Sequence, residues 1–206
     1  MPYVTTEDAT IHYLDTGGDG PAVMLHHGFF MDGHMFDDIA AQLAPDYRVI
    51  AMDARGHGLT TDAGNPYTYW DLAWDAWAVL DELGIDRVVS GGLSQGGFIA
   101  MRMALQYPSR VTRLALMSSA ATPFTVEQRE AWIRKWHAHD RDRLELATWA
   151  LLDHEDLTPL LDQIAQPAIV IYGNGEQSFS LTTVQELADG LGGPARLLRD
   201  FLVAPS

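Results

Sequence analysis

Short apolar stretches rich in β-branched residues alternate along the chain with longer amphipathic stretches. The short stretches predict strands, and the first two of them predict a leading antiparallel pair. The predicted strands are Val4–Glu7, Ile11–Asp15, Ala22–His26, Tyr47–Met52, Arg87–Gly91, Val111–Met117, Pro167–Tyr172 and Ala195–Phe201. The longer stretches predict helices near 33–43, 69–83, 95–107 and 181–191. Such alternation is typical of a mainly parallel central sheet flanked by helices, so the predicted fold class is α/β.

The pattern changes between Ser118 and Gln166, where charged residues are interleaved with tryptophan and leucine at helical spacing. This predicts a small helical insertion within one α/β core. We therefore divide the chain into a first core part at 1–121, an insertion at 122–166 and a second core part at 167–206. The helix stripe of Trp70, Trp74 and Trp77 is interpreted as core packing.

Composition narrows the functional classes. The 206 residues suffice for one hydrophobic core, and 13 Lys plus Arg against 28 Asp plus Glu give a net charge of −15. A phosphate backbone would be repelled, so nucleic acid is excluded as a partner. The chain has no cysteine, which excludes thiolate chemistry. No secretory signal and no apolar stretch of about 20 residues is visible, so we expect a cytoplasmic protein without a membrane span.

The segment Gly92-Leu93-Ser94-Gln95-Gly96 matches the pattern G-x-S-x-G at the point where a predicted strand meets a predicted helix. This is the setting of a nucleophile elbow, in which a serine is held in a tight, strained turn. The flanking glycines would leave room for that turn. The alternative is a glycine-rich turn whose serine merely caps the helix.

The residues His26-His27-Gly28-Phe29-Phe30 follow the first central strand. A loop there would lie beside the serine turn, so the N–H groups of Phe29 and Gln95 are the candidate oxyanion donors. The adjacent histidines suggest metal binding as a weaker alternative, since a third ligand is not evident and His34 is separated by a helix start. We predict no metal and no cofactor.

Four motifs in this order resemble those of the α/β-hydrolase superfamily, particularly its esterase, lactonase and haloperoxidase-like branch. They are the His27-Gly28-Phe29 loop, the Asp53–Gly58 loop, the Gly92–Gly97 turn and the Pro167–Gly173 strand before an acidic residue. The resemblance extends from about residue 10 to about residue 200. We interpret the Asp53–Gly58 loop as structural, with Asp53 and Arg55 bound to the backbone or to each other.

The resemblance implies a serine hydrolase that acts on a small-molecule ester or lactone, with Ser94 as nucleophile and the insertion as a helical cap. Glu176 stands at the place of the triad acid. Phe30, Trp132 and Trp136 are candidate substrate contacts, although core packing explains the two tryptophans equally well.

The histidine that the resemblance implies near the C-terminus is missing, because Val203 stands at its place and no histidine follows His154. The family's last helix is also absent, and the free edge of the last strand is a candidate site of homo-oligomer formation. The alternative function is therefore a catalytically impaired or non-catalytic member that binds a small apolar ligand. His154 is interpreted as a solvated helix-end residue, and His137 with His139 as an exposed face.

Overall fold

A computed structural model describes residues 2–138, 141–173 and 179–199. The described strands are β1 (Tyr3–Thr5), β2 (Ala9–Asp15), β3 (Ala22–His26), β4 (Arg48–Met52), β5 (Thr61–Asp62), β6 (Val88–Leu93), β7 (Val111–Met117), β8 (Ala168–Tyr172) and β9 (Ala195–Arg199). They form one sheet in the order β1-β2-β4-β3-β6-β7-β8-β9, and β5 pairs with β2. Strands β1, β2 and β5 pair antiparallel, and the six others run parallel.

The α/β prediction is confirmed, with strand bounds shifted by only a few residues. The exception is β5, which was not predicted. Its two residues pair with Ala9 and Thr10 of β2. A segment this short has no periodicity of its own, and the neighbouring strand creates it.

The helices are α1 (Asp37–Leu43), α2 (Tyr69–Glu82), α3 (Gln95–Gln106), α4 (Val126–Trp136), α5 (Arg141–Leu152) and α6 (Leu181–Gly190), with 3₁₀ segments at Gly33–Phe36 and Thr158–Gln163. Helix α2 begins with a capping box between Thr68 and Asp71, and it ends before Gly84, whose φ is +66°. Local sequence therefore defines both ends of this helix. No helix in the described ranges is long and apolar enough to cross a membrane.

The main hydrophobic core joins α2, α3 and α6 to one face of the sheet, and a smaller cluster lies beneath α1 on the other. Trp77 is fully buried in the main core and Trp70 is partly buried, as predicted. The prediction is wrong for Trp74, which is 49% exposed. Its ring packs edge-on against Tyr107, which lies just beyond the end of α3, so α3 does not extend over Trp74.

Helices α4 and α5 and the second 3₁₀ segment lie between β7 and β8, which is where the helical insertion was predicted. Helix α4 begins with a capping box between Thr125 and Gln128. The exact division of the chain at residues 121 and 166 stays a prediction.

Candidate active site

Ser94 occupies the single position between the end of β6 and the start of α3. Its backbone has φ +52° and ψ −112°, a conformation that costs a residue with a side chain about 1–3 kcal/mol. The hydroxyl makes no capping hydrogen bond to α3. The alternative of a serine that merely caps the helix is therefore wrong, because the side chain does not perform that role.

Three glycines make this turn possible by close approach. A Cβ on Gly92 would lie 2.2 Å from the carbonyl carbon of Gly96, and a Cβ on Gly96 would lie 2.0 Å from the carbonyl oxygen of His26. A Cβ on Gly97 would lie 2.4 Å from Oγ of Ser119. The prediction that the flanking positions must lack side chains is confirmed, since each of these contacts is far below van der Waals distance.

Backbone hydrogen bonds hold the strained residue in place. The N–H of Ser94 donates to Met117 O at 2.8 Å, at the end of β7. The carbonyl oxygen of Ser94 accepts two hydrogen bonds, from Gly97 N at 2.9 Å and from the hydroxyl of Ser119 at 2.9 Å. Both backbone polar groups of Ser94 are thus engaged, whereas its hydroxyl bonds to none of the residues that the structure describes.

The loop after β3 lies against this turn, as predicted. A Cβ on Gly28 would be 3.1 Å from Cδ2 of Leu93, the residue before the serine. Neither the N–H of Phe29 nor that of Gln95 donates a hydrogen bond to another residue in the described part of the chain. The side chain of Gln95 is held by Tyr69, whose hydroxyl donates to its Oε1 at 2.8 Å.

Aromatic contacts bring α4 to the loop after β3. The Trp132 ring lies 5.6 Å from that of Phe29 and is stacked 5.8 Å from that of Phe30. Phe30 has a φ of +65°, which is unusual for a residue with a side chain. Trp136, in contrast, is buried and packs against Trp149 at 6.0 Å. The structure thus places two of the three predicted substrate contacts side by side.

The hydroxyl of Ser94 has no hydrogen-bond partner among residues 2–138, 141–173 and 179–199. His12 is bonded to Asp53, His26 to Ser90, and His57 donates to the carbonyl of Arg55. No described histidine serves Ser94 as a base in this conformation. Glu176, Val203 and His139 lie outside the described residues, so the role of Glu176 stays a prediction.

His154 contradicts the interpretation as a solvated residue, since it is only 5% exposed. Its ring is stacked on Phe98 at 4.4 Å, and its Nδ1 donates to Leu151 O at 2.6 Å. Burial lowers the pKa of His154. The acidic neighbours in the sequence suggested exposure, but aromatic rings from α3 and the insertion enclose the imidazole. The exposed position predicted for His137 is confirmed.

Hydrogen bonds and an ion pair engage the two charged residues of the Asp53–Gly58 loop, which supports its structural interpretation, whereas Nε2 of the buried His57 has no partner in the described ranges. The Asp53 carboxylate accepts hydrogen bonds from Gly33 N at 2.8 Å, Leu59 N at 2.7 Å and His12 Nδ1 at 2.8 Å. Burial alone would raise the pKa of Asp53, but these three donors hold it below its usual value. Arg55 forms a two-pronged ion pair with Asp75, at 2.7 and 2.8 Å, so its partner is a helix residue and not Asp53.

The two adjacent histidines are bound within the protein. His27 accepts a hydrogen bond from Ala54 N at 3.0 Å and donates to Gly28 O at 2.8 Å, so both ring nitrogens are engaged. Burial lowers the pKa of His26 to about 3. No group of three or more potential metal ligands lies together in the part of the chain that the structure describes.

Residues 21–146, more than half of the chain, match a family model described as the alpha/beta hydrolase fold. The chain belongs to the alpha/beta hydrolase family. A fluoroacetate dehalogenase from Burkholderia sp is 33% identical over 141 residues, covering 65% of this chain and 46% of that protein. A bifunctional esterase/perhydrolase from Acinetobacter calcoaceticus is 35% identical over 133 residues, covering 62% and 47% respectively.

Among solved structures, the enol-lactonase from Burkholderia xenovorans LB400 superimposes on this alpha/beta hydrolase with a TM-score of 0.83 at 27% identity. That comparison covers 96% of this chain and 90% of the lactonase. The sequence matches span about half the length of the curated relatives. The homologues are hydrolases, and the resemblance stated from four motifs is confirmed as family membership.

Proposed function

We propose that this chain is a serine hydrolase that cleaves carboxylic ester or lactone bonds through an acyl-enzyme on Ser94. The observation that carries the proposal is the geometry of Ser94, which combines a strained φ of +52° with a hydroxyl that caps nothing. Backbone strain of this kind persists where the surrounding structure enforces it, and it is concentrated at functional sites. The named esterase/perhydrolase and enol-lactonase relatives support an ester or lactone as the substrate class.

In the proposed reaction, Oγ of Ser94 attacks the carbonyl carbon of a small-molecule ester or lactone. The N–H groups of Phe29 and Gln95 receive the oxyanion that forms, and the Ser94 proton passes to the departing alcohol through a base. Water then attacks the acyl-enzyme, which releases the acid and returns the proton to Ser94. Because Ser94 is a hydroxyl and not a carboxylate, acyl transfer is favoured over displacement of a halide.

Glu176 is the proposed acid that orients the base. Phe30 and Trp132 are the proposed apolar contacts for the substrate, because they stack beside the oxyanion donor Phe29. Trp136 would affect substrate binding indirectly, through the packing of α4 on α5. The proposed reaction needs no metal and no cofactor.

A second candidate function is binding of a small apolar ligand without efficient turnover. One observation favours it: no histidine in the described ranges is hydrogen-bonded to Ser94. Loss of a triad member costs several orders of magnitude in rate, yet leaves binding and oxyanion contributions in place.

Labelling with a fluorophosphonate tests the nucleophile directly. We expect mass spectrometry to find one adduct on Ser94 in the unmodified chain and none in Ser94→Ala. Ser180→Ala is the matched control, because Ser180 accepts a hydrogen bond from Thr183 N and caps α6. An unlabelled Ser94, or equal labelling of the Ser94→Ala chain, would contradict the proposal.

Hydrolysis of p-nitrophenyl acetate separates the two candidates. Many molecules of p-nitrophenol released per chain, abolished by Ser94→Ala, would show turnover and exclude the binding-only function. Release that stops at one equivalent, or does not exceed that of Ser94→Ala, would favour the second candidate.

A further inference from the structure

Ser119 lies just beyond the end of β7, and it is a buried hydroxyl that the proposed reaction does not use. It is 0% exposed, and its Oγ donates to the carbonyl oxygen of Ser94 at 2.9 Å. Gly97 of α3 leaves the space that this hydroxyl occupies, since a Cβ there would lie 2.4 Å from it. Ser119 therefore packs directly against the serine turn, at Gly97 and the carbonyl oxygen of Ser94.

The preceding residue directs Ser119 toward the turn. Ser118 has a φ of +44°, and its N–H donates to Ile171 O of the neighbouring strand at 2.8 Å. Positive φ is unfavourable for serine, so the end of β7 is held in a strained bend. Two strained serines, Ser94 and Ser118, thus lie on either side of the hydrogen bond that Ser119 makes.

That hydrogen bond acts on the same peptide group that contains the proposed oxyanion donor. The carbonyl of Ser94 and the N–H of Gln95 belong to one planar, trans peptide unit, in which the two groups point in opposite directions. Fixing the direction of the oxygen therefore fixes the direction of the N–H. In the described part of the chain, Ser119 Oγ and Gly97 N are the two donors to that oxygen.

We propose that Ser119 is a positioning residue that aims the N–H of Gln95 at the oxyanion. The inference rests on the proposed function, because it assigns a task to a peptide group of that same site. Without the Ser119 hydroxyl, a single donor restrains the carbonyl of a strained residue. The peptide plane is then free to rock, and the N–H spends less time in the direction that stabilises the transition state.

The test compares Ser119→Ala with Ser90→Ala. Ser90 is a matched control, because it is also 0% exposed and its hydroxyl is bonded to His26, away from the Ser94 peptide. We expect Ser119→Ala to lower the second-order rate of fluorophosphonate labelling of Ser94 about tenfold, since loosening an oxyanion donor costs less than removing it. Ser90→Ala should label within about twofold of the unmodified chain, as expected for a hydroxyl outside the site.

A second readout follows the peptide group without any chemistry. In ¹H–¹⁵N spectra, the Gln95 amide resonance should move in Ser119→Ala and stay in place in Ser90→Ala. A merely structural role for Ser119 would lower thermal stability and leave both the labelling rate and this resonance unchanged. Should Ser119→Ala not fold, Ser119→Cys, whose thiol is a weaker donor, is measured in its place, with a smaller fall in rate expected.

The outcomes distinguish the two proposals. Equal labelling rates for Ser119→Ala and the unmodified chain, or an unmoved Gln95 resonance, would overturn the positioning role alone. Absence of any adduct on Ser94 in the unmodified chain would overturn the proposed function, whatever the Ser119 variants do.

Discussion

Strands β4 and β6 flank β3, and the loops that follow them lie at the same edge of the sheet. The polar groups of these two loops differ in their hydrogen bonding. After β4, the buried carboxylate of Asp53 is satisfied by three donors and Arg55 is paired with Asp75. After β6, the hydroxyl of Ser94 has no partner in the described ranges, and its backbone is strained.

The difference separates a structural loop from a candidate active site. Burying an unpaired charge costs free energy. A buried charge whose hydrogen bonds are satisfied therefore indicates a structural role. The Ser94 hydroxyl bonds to no described residue, so it adds no stability that would offset the cost of its strained turn. Changes in stability on substitution and on acidification test this contrast.

Asp53→Ala should remove the carboxylate that three donors bind in the Asp53–Gly58 loop. It leaves the N–H groups of Gly33 and Leu59 and the ring of His12 without their acceptor, so we expect the free energy of unfolding to fall by about 3–5 kcal/mol. Urea denaturation measures this change. Asp62→Ala is the control. Among the described residues that carboxylate accepts a single hydrogen bond, from the exposed N–H of Gly64, and its loss should cost under about 1 kcal/mol. Similar losses in the two variants would contradict the structural role of Asp53.

Gly96→Ala should disrupt the serine turn itself. The new Cβ would lie 2.0 Å from the carbonyl oxygen of His26, a backbone atom that has little room to move. We expect a loss of about 3 kcal/mol in chemical denaturation, from overpacking. Gly173→Ala provides the comparison, because no described residue beyond its own chain neighbour lies within 4 Å of the Cβ position there. A Gly96→Ala chain as stable as Gly173→Ala would show that the turn is not tightly packed.

Acid should weaken the fold through a buried histidine of the Asp53–Gly58 loop. Burial, followed by the neighbouring His27, lowers the pKa of His57 from 6.5 to about 3. Between these two values the unfolded chain binds a proton that the folded chain does not, so stability falls as pH falls from 6.5 toward 3.

The slope from one such histidine is about 1.4 kcal/mol per pH unit, and His57→Gln should remove that contribution. Thermal unfolding between pH 7 and 4.5 gives the slope, with the exposed His34→Gln as control. An unchanged slope in His57→Gln would show that His57 protonates equally in both states. Asp53, whose pKa is lowered from 3.8, adds its own loss only at still lower pH.

Ser94→Gly should give the smallest effect, and one of opposite sign. Glycine adopts a positive φ without the steric cost that a Cβ brings, so we expect a gain of about 1 kcal/mol in the free energy of unfolding. Ser94→Ala removes the same hydroxyl but keeps the Cβ, so it should show no such gain. Equal stabilities of the two variants would mean that the turn is not strained.

Local patterns made much of this molecule predictable. The β-branched stretches predicted the six parallel strands, and G-x-S-x-G between a strand and a helix predicted the position of Ser94. Trp74 and His154 were predicted wrongly, because periodicity and charged neighbours do not show where a covering surface ends or which rings enclose an imidazole. Ser119 carried no signal, since its contact with Ser94 joins residues that are 25 positions apart.

The local sequence sets the order of strands and helices, the glycines around Ser94 and the caps of the helices. Backbone sterics and side-chain periodicity act over a few residues, so these features do not need the rest of the fold. Only the tertiary structure decided which partners Asp53 and Arg55 each have and how deeply His154 is buried. The same holds for the Ser94 hydroxyl, which meets no partner among the described residues. Those properties depend on which atoms meet across the sheet and the insertion, and burial and hydrogen bonding exist only once they have met.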